Sequence, residues 1–421
     1  MLYRLVLDLI TTLQLESERA YVWINKDNEL YIKRNFIYRN EHHYHYENVL
    51  IIVFDFLYTI FSDSPPSNDQ FTVPPPGLFI RKRPNGILDA DRVMKRCDMK
   101  FSLVENCLEY LDKKEDDYII EPPSPIPQCN ENEPPMLFHV FWRGMITDKL
   151  TLQMKSFLYT QPLECSKLYV WLQDSDTDID LNPFAGKIYE KFSPKNIEFK
   201  KWDTKEQLDS DPLYKGWENI MSRHSSVSFS DLVRFVVLNR YGGMYMDGDV
   251  LFLRDMRPLY HSGIDFSYKW SFKSEYNTAV LRLRANGTTT NTSVSLDTAT
   301  TKSIYNSHLF MFSVPLFDPL WLKNDHRQNN NLRPNLRGMD DVWDPKFIPG
   351  EFPNIDNLND YSPLDLRKAD DFFRGAYAYH WHNNWARELI PTCWMGVINT
   401  AYDAFINGTQ RNIYGEFIQS Y

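Results

Sequence analysis

Two carboxylates separated by a glycine, Asp247 and Asp249, are the residues of this sequence best suited to chemistry. They follow a short apolar segment, Met244–Met246, that begins after the pair Gly242-Gly243. Carboxylate oxygens hold hard divalent cations such as Mn²⁺ or Mg²⁺, and such a cation can in turn hold a diphosphate. The glycine between them leaves room for a phosphate to approach the backbone. This spacing therefore predicts a cation site for a phosphorylated ligand.

A helix before these carboxylates adds further polar groups. Apolar residues lie around most of segment 229–241, which is typical of a helix packed inside a domain. Asp231 and Arg234 are three residues apart and share one face. Because an unpaired charge in a buried helix is costly, these side chains need partners. Two interpretations stay open: a structural pair, or a ligand contact in which Asp231 accepts from sugar hydroxyls and Arg234 donates to sugar or phosphate.

Residues 230–249 read Ser-Asp-x-x-Arg, then Tyr-Gly-Gly-x-Tyr-x-Asp-x-Asp. This run resembles the sugar-binding region of Asp-x-Asp glycosyltransferases of the GT-A class. That group includes fungal initiating α-1,6-mannosyltransferases, α-1,4-galactosyltransferases and the glucosylating clostridial toxins. The resemblance implies that Asp249 and Asp247 bind the metal and that Asp247 also reaches the ribose and the donor sugar. It places Gly243 and Tyr245 in the donor site as well.

The activity that this resemblance implies is a metal-dependent hexosyl transfer. The donor would be a UDP- or GDP-hexose, with mannose or galactose as the sugar, and the acceptor a glycan or glycolipid. The nearest relatives retain the anomeric configuration without an obligatory enzyme nucleophile, so no nucleophile is assigned. We expect Asp231, Arg234, Asp247 and Asp249 to form the catalytic group.

A second motif lies upstream, where Met-Leu-Phe-His-Val-Phe-Trp-Arg-Gly spans residues 136–144. It reads as an apolar strand that ends near Trp142. The same family begins its catalytic domain with a similar Ile-His-x-x-Trp-x-Gly strand, which implies that Trp142 stacks on the nucleobase. The alternative is an ordinary core aromatic residue at a strand end.

Between the two motifs, predicted helices and strands alternate. The pattern predicts helices at 147–159, 183–192 (helix or turn) and 203–209, and strands at 167–172 and 197–202. This alternation predicts an α/β fold with a mostly parallel central sheet and helices on both faces. With the resemblance, it is a GT-A-like Rossmann-type nucleotide-sugar domain. Ligands of such sheets lie beyond the carboxyl ends of strands, where Trp142 and Asp247 sit.

Two later segments carry further candidate residues. Asn277 lies where family members often carry a polar residue near the donor sugar. Segment 378–385 reads Ala-Tyr-His-Trp-His-Asn-Asn-Trp, and His380 and His382 share one face if it is a strand. Family members carry a His-containing segment near the C-terminus that closes over the donor and can add a metal ligand. We expect His382 to take this role, with an aromatic cluster bearing solvent-facing His as the alternative.

The N-terminal part, 1–135, is predicted to be an extension, and 136–421 the catalytic domain. Pro-rich linkers are expected at 64–77 and 121–135. Segment 44–62 is a candidate signal-anchor, although its apolar run is shorter than the ~20 residues of a normal membrane span. A buried strand or helix is the alternative. Since family members are often type II Golgi membrane proteins, we expect a lumenal catalytic domain.

Composition agrees with a globular enzyme. The chain has 421 residues, of which 43% are hydrophobic, so it can bury a sizeable core. A net charge of -10 argues against a nucleic-acid partner. Three glycosylation sequons begin at Asn286, Asn291 and Asn407, which is compatible with a lumenal glycoprotein. The five cysteines show no metal-ligand spacing, and no disulfide pairing can be deduced from them.

Two other classes of protein fit parts of the pattern. Phosphatases of the haloacid-dehalogenase type also carry Asp-x-Asp after an apolar strand. They favour a longer strand, and Thr or Val two residues after the second Asp, where this chain has Leu251. A pseudo-transferase would bind the donor nucleotide without transfer; the intact acidic and Arg positions speak against it.

Overall fold

The computed structural model describes most of the chain after residue 81 and two short strands before it. The described ranges are 20–24, 30–34, 82–98, 104–112, 118–120, 125–129, 133–174, 178–209, 226–271, 275–285, 309–324, 338–343, 373, 375–390 and 393–418. The candidate signal-anchor, the first Pro-rich segment and the sequons at Asn286 and Asn291 lie outside these ranges. Within the described ranges, no helix has the length and apolar character of a membrane span.

Contacts divide the chain into two compact units, Met1–Phe71 and Thr72–Tyr421. In the first unit, β1 (Ala20–Ile24) and β2 (Leu30–Arg34) pair antiparallel. All the residues of chemical interest belong to the second unit. That unit begins well before residue 136, the predicted start of the catalytic domain.

A seven-stranded sheet forms the centre of the second unit, in the order β10-β8-β9-β6-β3-β4-β5. Strands β3, β4, β5 and β6 run parallel, β9 is antiparallel to β6 and β8, and β10 is parallel to β8. The bounds are β3 Met136–Arg143, β4 Ser166–Gln173, β5 Ile197–Lys201, β6 Gly243–Met246, β8 Phe266–Lys269, β9 Tyr276–Leu283 and β10 Phe310–Phe312. The predicted mostly parallel sheet is therefore confirmed.

Helices cover both faces of this sheet because β3 is apolar on both sides. The buried apolar residues that the structure describes form two clusters, a larger core and a second core. Phe138 and Val140 pack into the larger core together with α3 (Asp148–Thr160). Phe141 packs into the second core together with α6 (Ser226–Tyr241). Side chains of a strand alternate between faces, so adjacent residues of β3 reach different helices. This arrangement confirms the predicted α/β class.

Shorter helices and two further strands complete the unit. The helices are α1 Ala90–Cys97, α2 Val104–Asp112, α4 Gly186–Phe192, α5 Thr204–Asp209, α7 Arg257–Tyr260, α8 Trp321–Asn324, α9 Met339–Trp343 and α10 Trp394–Ile406. Strands β7 (Val250–Phe252) and β11 (Ala378–His380) pair antiparallel as a separate sheet. Helix α10 packs on α3, and buried residues of α1 and α2 belong to the larger core.

Two disulfides link segments of this unit. Cys97 pairs with Cys107 across the α1–α2 connection, and Cys129 pairs with Cys165 just before β4. Cys393 has a free, buried thiol. Since Cys97 and Cys107 are also buried in the larger core, helices α1 and α2 pack in the same core as the central sheet.

One buried histidine holds β3 and the turn before β6 together. His139 Nε2 lies 2.9 Å from the Gly242 carbonyl oxygen, and the Trp171 indole N–H donates to His139 Nδ1. Both contacts require a neutral imidazole with its proton on Nε2. Burial lowers the pKa of His139 to about 4, which keeps the ring neutral at pH 7. The motif histidine thus positions the turn that leads to the acidic residues.

The Gly-Gly turn itself admits no side chain. Gly243 has φ +100°, and a Cβ there would lie 2.3 Å from the Leu137 carbonyl oxygen. Gly242 has φ +65° and ends α6. Because β6 pairs directly with β3 at this point, only glycine lets the two backbones approach so closely.

Candidate functional site

The acidic turn lies directly after β6 and is held by backbone contacts on both sides. The Asp247 N–H donates to the Ala279 carbonyl in β9, and the Val250 N–H donates back to the Asp247 carbonyl. From α3, the Gln153 side-chain amide donates to the Asp247 carbonyl at 2.9 Å. The backbone of the turn is therefore fixed by the sheet and by a helix, which leaves its side chains to the site.

Arg234 joins the two carboxylates that the sequence places on either side of the Gly-Gly turn. One Nη atom lies 2.9 Å from Asp247 Oδ1 and 3.0 Å from Asp231 Oδ1. The other donates to the Thr278 hydroxyl at 2.7 Å. The Arg234 side chain is 4% exposed, whereas Asp231 is 30% exposed and Asp247 24%. The guanidinium is thus the buried anchor, and the carboxylates are the groups that reach the surface.

Asp249, the second acid, is buried and contacts the C-terminal segment instead. Its Oδ2 accepts from the Asn383 backbone N–H at 2.7 Å and lies 3.3 Å from His380 Nε2. The Trp381 N–H donates to the Asp249 carbonyl. These contacts follow from the pairing of β11 with β7, which places His380 opposite Val250.

The electrostatics of the two acids differ. Partial burial, together with the nearby Asp249 carboxylate, raises the pKa of Asp247 to about 6 in spite of Arg234. Burial would also raise the pKa of Asp249, but His380 and the Asn383 N–H outweigh it and lower that pKa. Two neighbouring carboxylates of this kind repel each other, and a bound cation relieves such repulsion.

His380 carries the positive charge nearest to Asp249. Burial would lower the pKa of His380, but the Asp249 carboxylate outweighs it and raises the pKa to about 9. The Tyr268 hydroxyl lies 3.0 Å from His380 Nδ1. The imidazole is therefore held at both nitrogens, between a phenol and a carboxylate.

His382, the expected metal ligand, has a different partner from the one predicted. Strand β11 ends at His380, and His382 has a positive φ of 50°, so the ring turns towards Asp318. His382 Nε2 lies 2.6 Å from Asp318 Oδ2, and its ring stacks on that of His380 at 3.8 Å. Burial lowers the pKa of His382, which leaves it neutral at pH 7. The structure thus places His380, and not His382, against Asp249.

Asp318 is a site residue that the sequence reasoning missed. Its side chain is 1% exposed, and together with both histidines it offers ligand atoms within 4.8 Å of one another. The only signal for it in the sequence is one acid within the apolar run Leu309–Leu322. Apolar runs are normally interrupted by a charge only where that charge has a partner.

Trp142 lies against Gly248, the glycine of the acidic turn. A Cβ at Gly248 would be 3.1 Å from the Trp142 ring, so the ring covers the glycine between the two acids. The partly buried Trp142 ring makes an edge contact with Trp385 at 5.1 Å. Trp385 is 36% exposed, so the pair presents aromatic surface beside the acidic turn. Stacking of Trp142 on a nucleobase stays a prediction.

Three other expected site residues occupy supporting positions. Tyr245 is 1% exposed and lies beneath the Arg234 guanidinium, because it shares with Asp247 the strand face that meets α6. Gly243 packs against β3 at the far end of β6. Asn277 is buried, and its Oδ1 accepts from the Ala279 N–H. These residues fix the backbone around the acidic turn, and their contacts with a donor stay predictions.

In a comparison with known proteins, one family model matches the centre of the chain. Residues 148–265 match the family model described as "Glycosyltransferase sugar-binding region containing DXD motif". The matched region contains Asp231, Arg234 and both acids of the turn. This match confirms the predicted resemblance and supports a glycosyltransferase as the class of enzyme. No curated protein sequence matches the chain.

Several solved glycosyltransferase structures are similar to this chain at low identity. The PaToxG glycosyltransferase is 14% identical, with a TM-score of 0.30, over 77% of this chain and 98% of that one. An active-site mutant of LgtC is 15% identical, with a TM-score of 0.34, over 64% and 95%. GlyE of Streptococcus pneumoniae TIGR4 is 14% identical, with a TM-score of 0.25, over 36% and 34%.

Proposed function

We propose that this glycosyltransferase is a metal-dependent hexosyltransferase that uses a UDP- or GDP-hexose as donor and a glycan or glycolipid as acceptor. The observation that carries the proposal is the arrangement around Gly248. Asp247 is held by Arg234 on one side, Asp249 by His380 on the other, and Trp142 covers the glycine between them. The carboxylates suit a cation that binds a diphosphate, and the aromatic ring suits the nucleobase of the same nucleotide.

The residues present fit a hard divalent cation, for which we propose Mn²⁺ or Mg²⁺. Asp249 and Asp247 offer carboxylate oxygens, and the His380 Nε2, which lies 3.3 Å from Asp249, can join them once the imidazole releases its proton to solvent as the cation binds. An oxygen-rich set with one imidazole is suited to Mn²⁺, while oxygen and water ligands suit Mg²⁺. When bound, the cation neutralises charge that builds on the departing nucleoside diphosphate.

The chain's own residues bind and orient the substrates. Asp231 and Asp247 are the partly exposed acids, so they can accept hydrogen bonds from hydroxyls of the sugar and the ribose. Arg234 orients both carboxylates from below, and Trp142 offers a ring face to the nucleobase. Neither a nucleophile nor a base for the acceptor hydroxyl is assigned, in keeping with a retaining transfer.

We also propose a lumenal site of action, in the Golgi, with residues 44–62 as the anchor. Two observations support an oxidising compartment. The cysteines at 97 and 107 and those at 129 and 165 are paired, and disulfides persist mainly in secreted and lumenal proteins. In addition, Asn407 of the third sequon is exposed at the end of α10, where an oligosaccharide could be attached.

The test is hydrolysis of a panel of UDP- and GDP-sugars with and without Mn²⁺, by the wild type and an Asp249→Ala variant. We expect Mn²⁺-dependent release of the nucleoside diphosphate from one donor, and a loss of at least about 100-fold in the variant. Asp265→Asn is a matched control, because Asp265 is equally buried but pairs with Arg282 and Arg284 instead. Wild-type rates in Asp249→Ala would refute the assignment.

Two outcomes of this assay would point to the other classes of protein. Donor binding without release or transfer, with every donor of the panel, would indicate a pseudo-transferase. A covalent aspartyl-phosphate trapped on Asp247 would indicate a phosphatase.

A further inference from the structure

Next to the acidic turn, three rings form a continuous stack. The Trp321 ring stacks on His382 at 4.0 Å, and His382 stacks on His380 at 3.8 Å, with interplanar angles of 27° and 24°. The last ring of this stack lies 3.3 Å from the Asp249 carboxylate through its Nε2. The position of His380 at the acidic turn therefore depends on the ring beneath it.

The middle ring of the stack is fixed by one carboxylate. Asp318 Oδ2 lies 2.6 Å from His382 Nε2, across 64 residues of sequence. Asp318 is itself held by its backbone, because its N–H donates to the carbonyl of Val314, the first residue of the short 3-10 helix Val314–Leu316. The Leu316 carbonyl of that helix accepts from the Tyr377 N–H, one residue before β11. Two contacts, Asp318 with His382 and Leu316 with Tyr377, therefore connect this helix to the segment that carries both histidines.

The backbone around His382 needs such an anchor. His382 and Asn383 both have positive φ, at 50° and 56°, a conformation that is uncommon for residues other than glycine. Such residues persist only where surrounding contacts over-determine them. Here the contacts are the Asp318 carboxylate on His382 and the Asp249 carboxylate on the Asn383 N–H. Asp318 holds His382 on the side of the turn away from Asp249, and Asp249 accepts from the Asn383 N–H.

We infer that Asp318 is a positioning residue for the cation site, acting through His382 to hold His380 and the Asn383 N–H against Asp249. The inference rests on the proposed function, since it concerns the same cation. Carboxylates that orient an imidazole beside a metal ion affect metal affinity by about 10–100-fold. Asp318 differs in that it holds the neighbour of the nearest imidazole rather than that imidazole itself.

A second feature supports a polar role for Asp318. Its other oxygen, Oδ1, is buried without a hydrogen-bond partner among the described residues. A carboxylate that only filled space would be replaced by an apolar side chain at lower cost, because burying an unsatisfied charge is unfavourable. The contact with His382 offsets part of the cost of burying this acid.

The test compares Mn²⁺ binding, measured by electron paramagnetic resonance of free Mn²⁺, in the wild type and in Asp318→Ala and Asp318→Asn. We expect Asp318→Ala to raise the Kd for Mn²⁺ by about tenfold. Asp318→Asn should raise it less, because the amide oxygen still accepts from His382. Turnover of both variants should recover at saturating Mn²⁺, which a purely structural defect would not allow. Asp265→Asn, a change at an equally buried acid outside the stack, should leave the Kd unchanged.

The outcomes separate this inference from the proposed function. Wild-type Mn²⁺ affinity in folded Asp318→Ala, or in Asp318→Leu if the alanine variant fails to fold, would overturn the positioning role alone. Failure of the wild type to bind either Mn²⁺ or Mg²⁺ would overturn both.

Discussion

Gly248 shows how a single missing side chain shapes the site. The Trp142 ring comes so close that a Cβ would meet two of its atoms at 3.1 and 3.2 Å, and Trp385 at 3.6 Å. Contacts of this length require a neighbour to shift by a few tenths of an ångström. The position of the Trp142 ring relative to the two acids therefore depends on glycine at this residue.

Gly248→Ala should accordingly impair donor binding more than cation binding. The added methyl group displaces the ring that is proposed to stack on the nucleobase, and we expect the donor KM to rise by about 3- to 10-fold, since small misplacements of a substrate are costly. Steady-state kinetics with the preferred donor would measure this. Gly263→Ala is the control: in contrast to Gly248, no atom lies within 4 Å of its Cβ position, so the backbone strain expected at its φ of +72° should lower stability without changing the donor KM. An unchanged donor KM in Gly248→Ala would contradict the prediction.

Arg234 illustrates why a buried charge is retained. Although burial lowers its pKa, Asp247 and Asp231 outweigh this and raise the pKa above its usual value. The sequence left two interpretations open, a structural pair or a ligand contact. The structure shows the ion pairs of Arg234 with Asp231 and Asp247, two acids that are 30% and 24% exposed, and the ligand contact stays a prediction.

At the scale of elements, strand β3 and helix α6 determine where the acids lie. The chain leaves α6 through Gly242 and enters β6 alongside β3, and His139 bonds the carbonyl of that turn. Apolar periodicity predicts both elements, since burial on both faces gives β3 a continuous apolar run. The role of His139 could not be read from that pattern, because it depends on Trp171 in the neighbouring strand.

This histidine gives the fold a defined pH dependence. The folded pKa of about 4 lies below the ordinary value of 6.5, so the unfolded chain binds more protons between these values. The stability contribution is therefore complete above pH 6.5 and is lost as the pH falls towards 4, by about 3 kcal/mol in total. We expect His139→Gln to have a lower free energy of unfolding than the wild type at pH 7. That free energy should also fall less steeply as the pH is lowered.

Urea denaturation of both proteins at several pH values between 4 and 7 would check this expectation. The difference between their free energies of unfolding should narrow as the pH falls. A difference that is constant over this range would show that His139 is protonated equally in both states.

At the scale of the whole molecule, residues far apart in the sequence are fastened to one core. The α1–α2 disulfide, Cys97–Cys107, lies in the larger core beside the central sheet. Arg83 reaches both Asp255 and Glu416, so it joins the beginning of the described part of this unit to its end. The compact unit is therefore larger than the predicted catalytic domain, because its early helices bury their apolar faces in the same core.

Removing the Cys97–Cys107 disulfide should destabilise this unit. For a loop of this length, the entropy of the unfolded chain predicts a loss of about 3 kcal/mol. Chemical denaturation of a Cys97→Ser/Cys107→Ser variant would measure the loss. The free, buried Cys393 offers a control, because Cys393→Ser breaks no disulfide. Equal stability of the double variant and the wild type, both kept oxidised, would contradict the prediction.

The sequence by itself determined the α/β class, the order of the elements and the place of the acids after a strand. The predicted helix at 147–159 and strand at 167–172 agree closely with Asp148–Thr160 and Ser166–Gln173. These features depend on local periodicity and on side-chain chemistry, which neighbouring residues in the sequence fully express.

Only the tertiary structure decided which histidine meets Asp249 and that Asp318 contacts His382. Both follow from the pairing of β11 with β7 and from a contact across 64 residues. The sequence could not distinguish His380 from His382. The positive φ of His382 turns its ring towards Asp318, and that contact joins residues far apart in the sequence. Residues that are far apart along the chain become neighbours only when the chain folds, and local sequence patterns contain no information about those contacts.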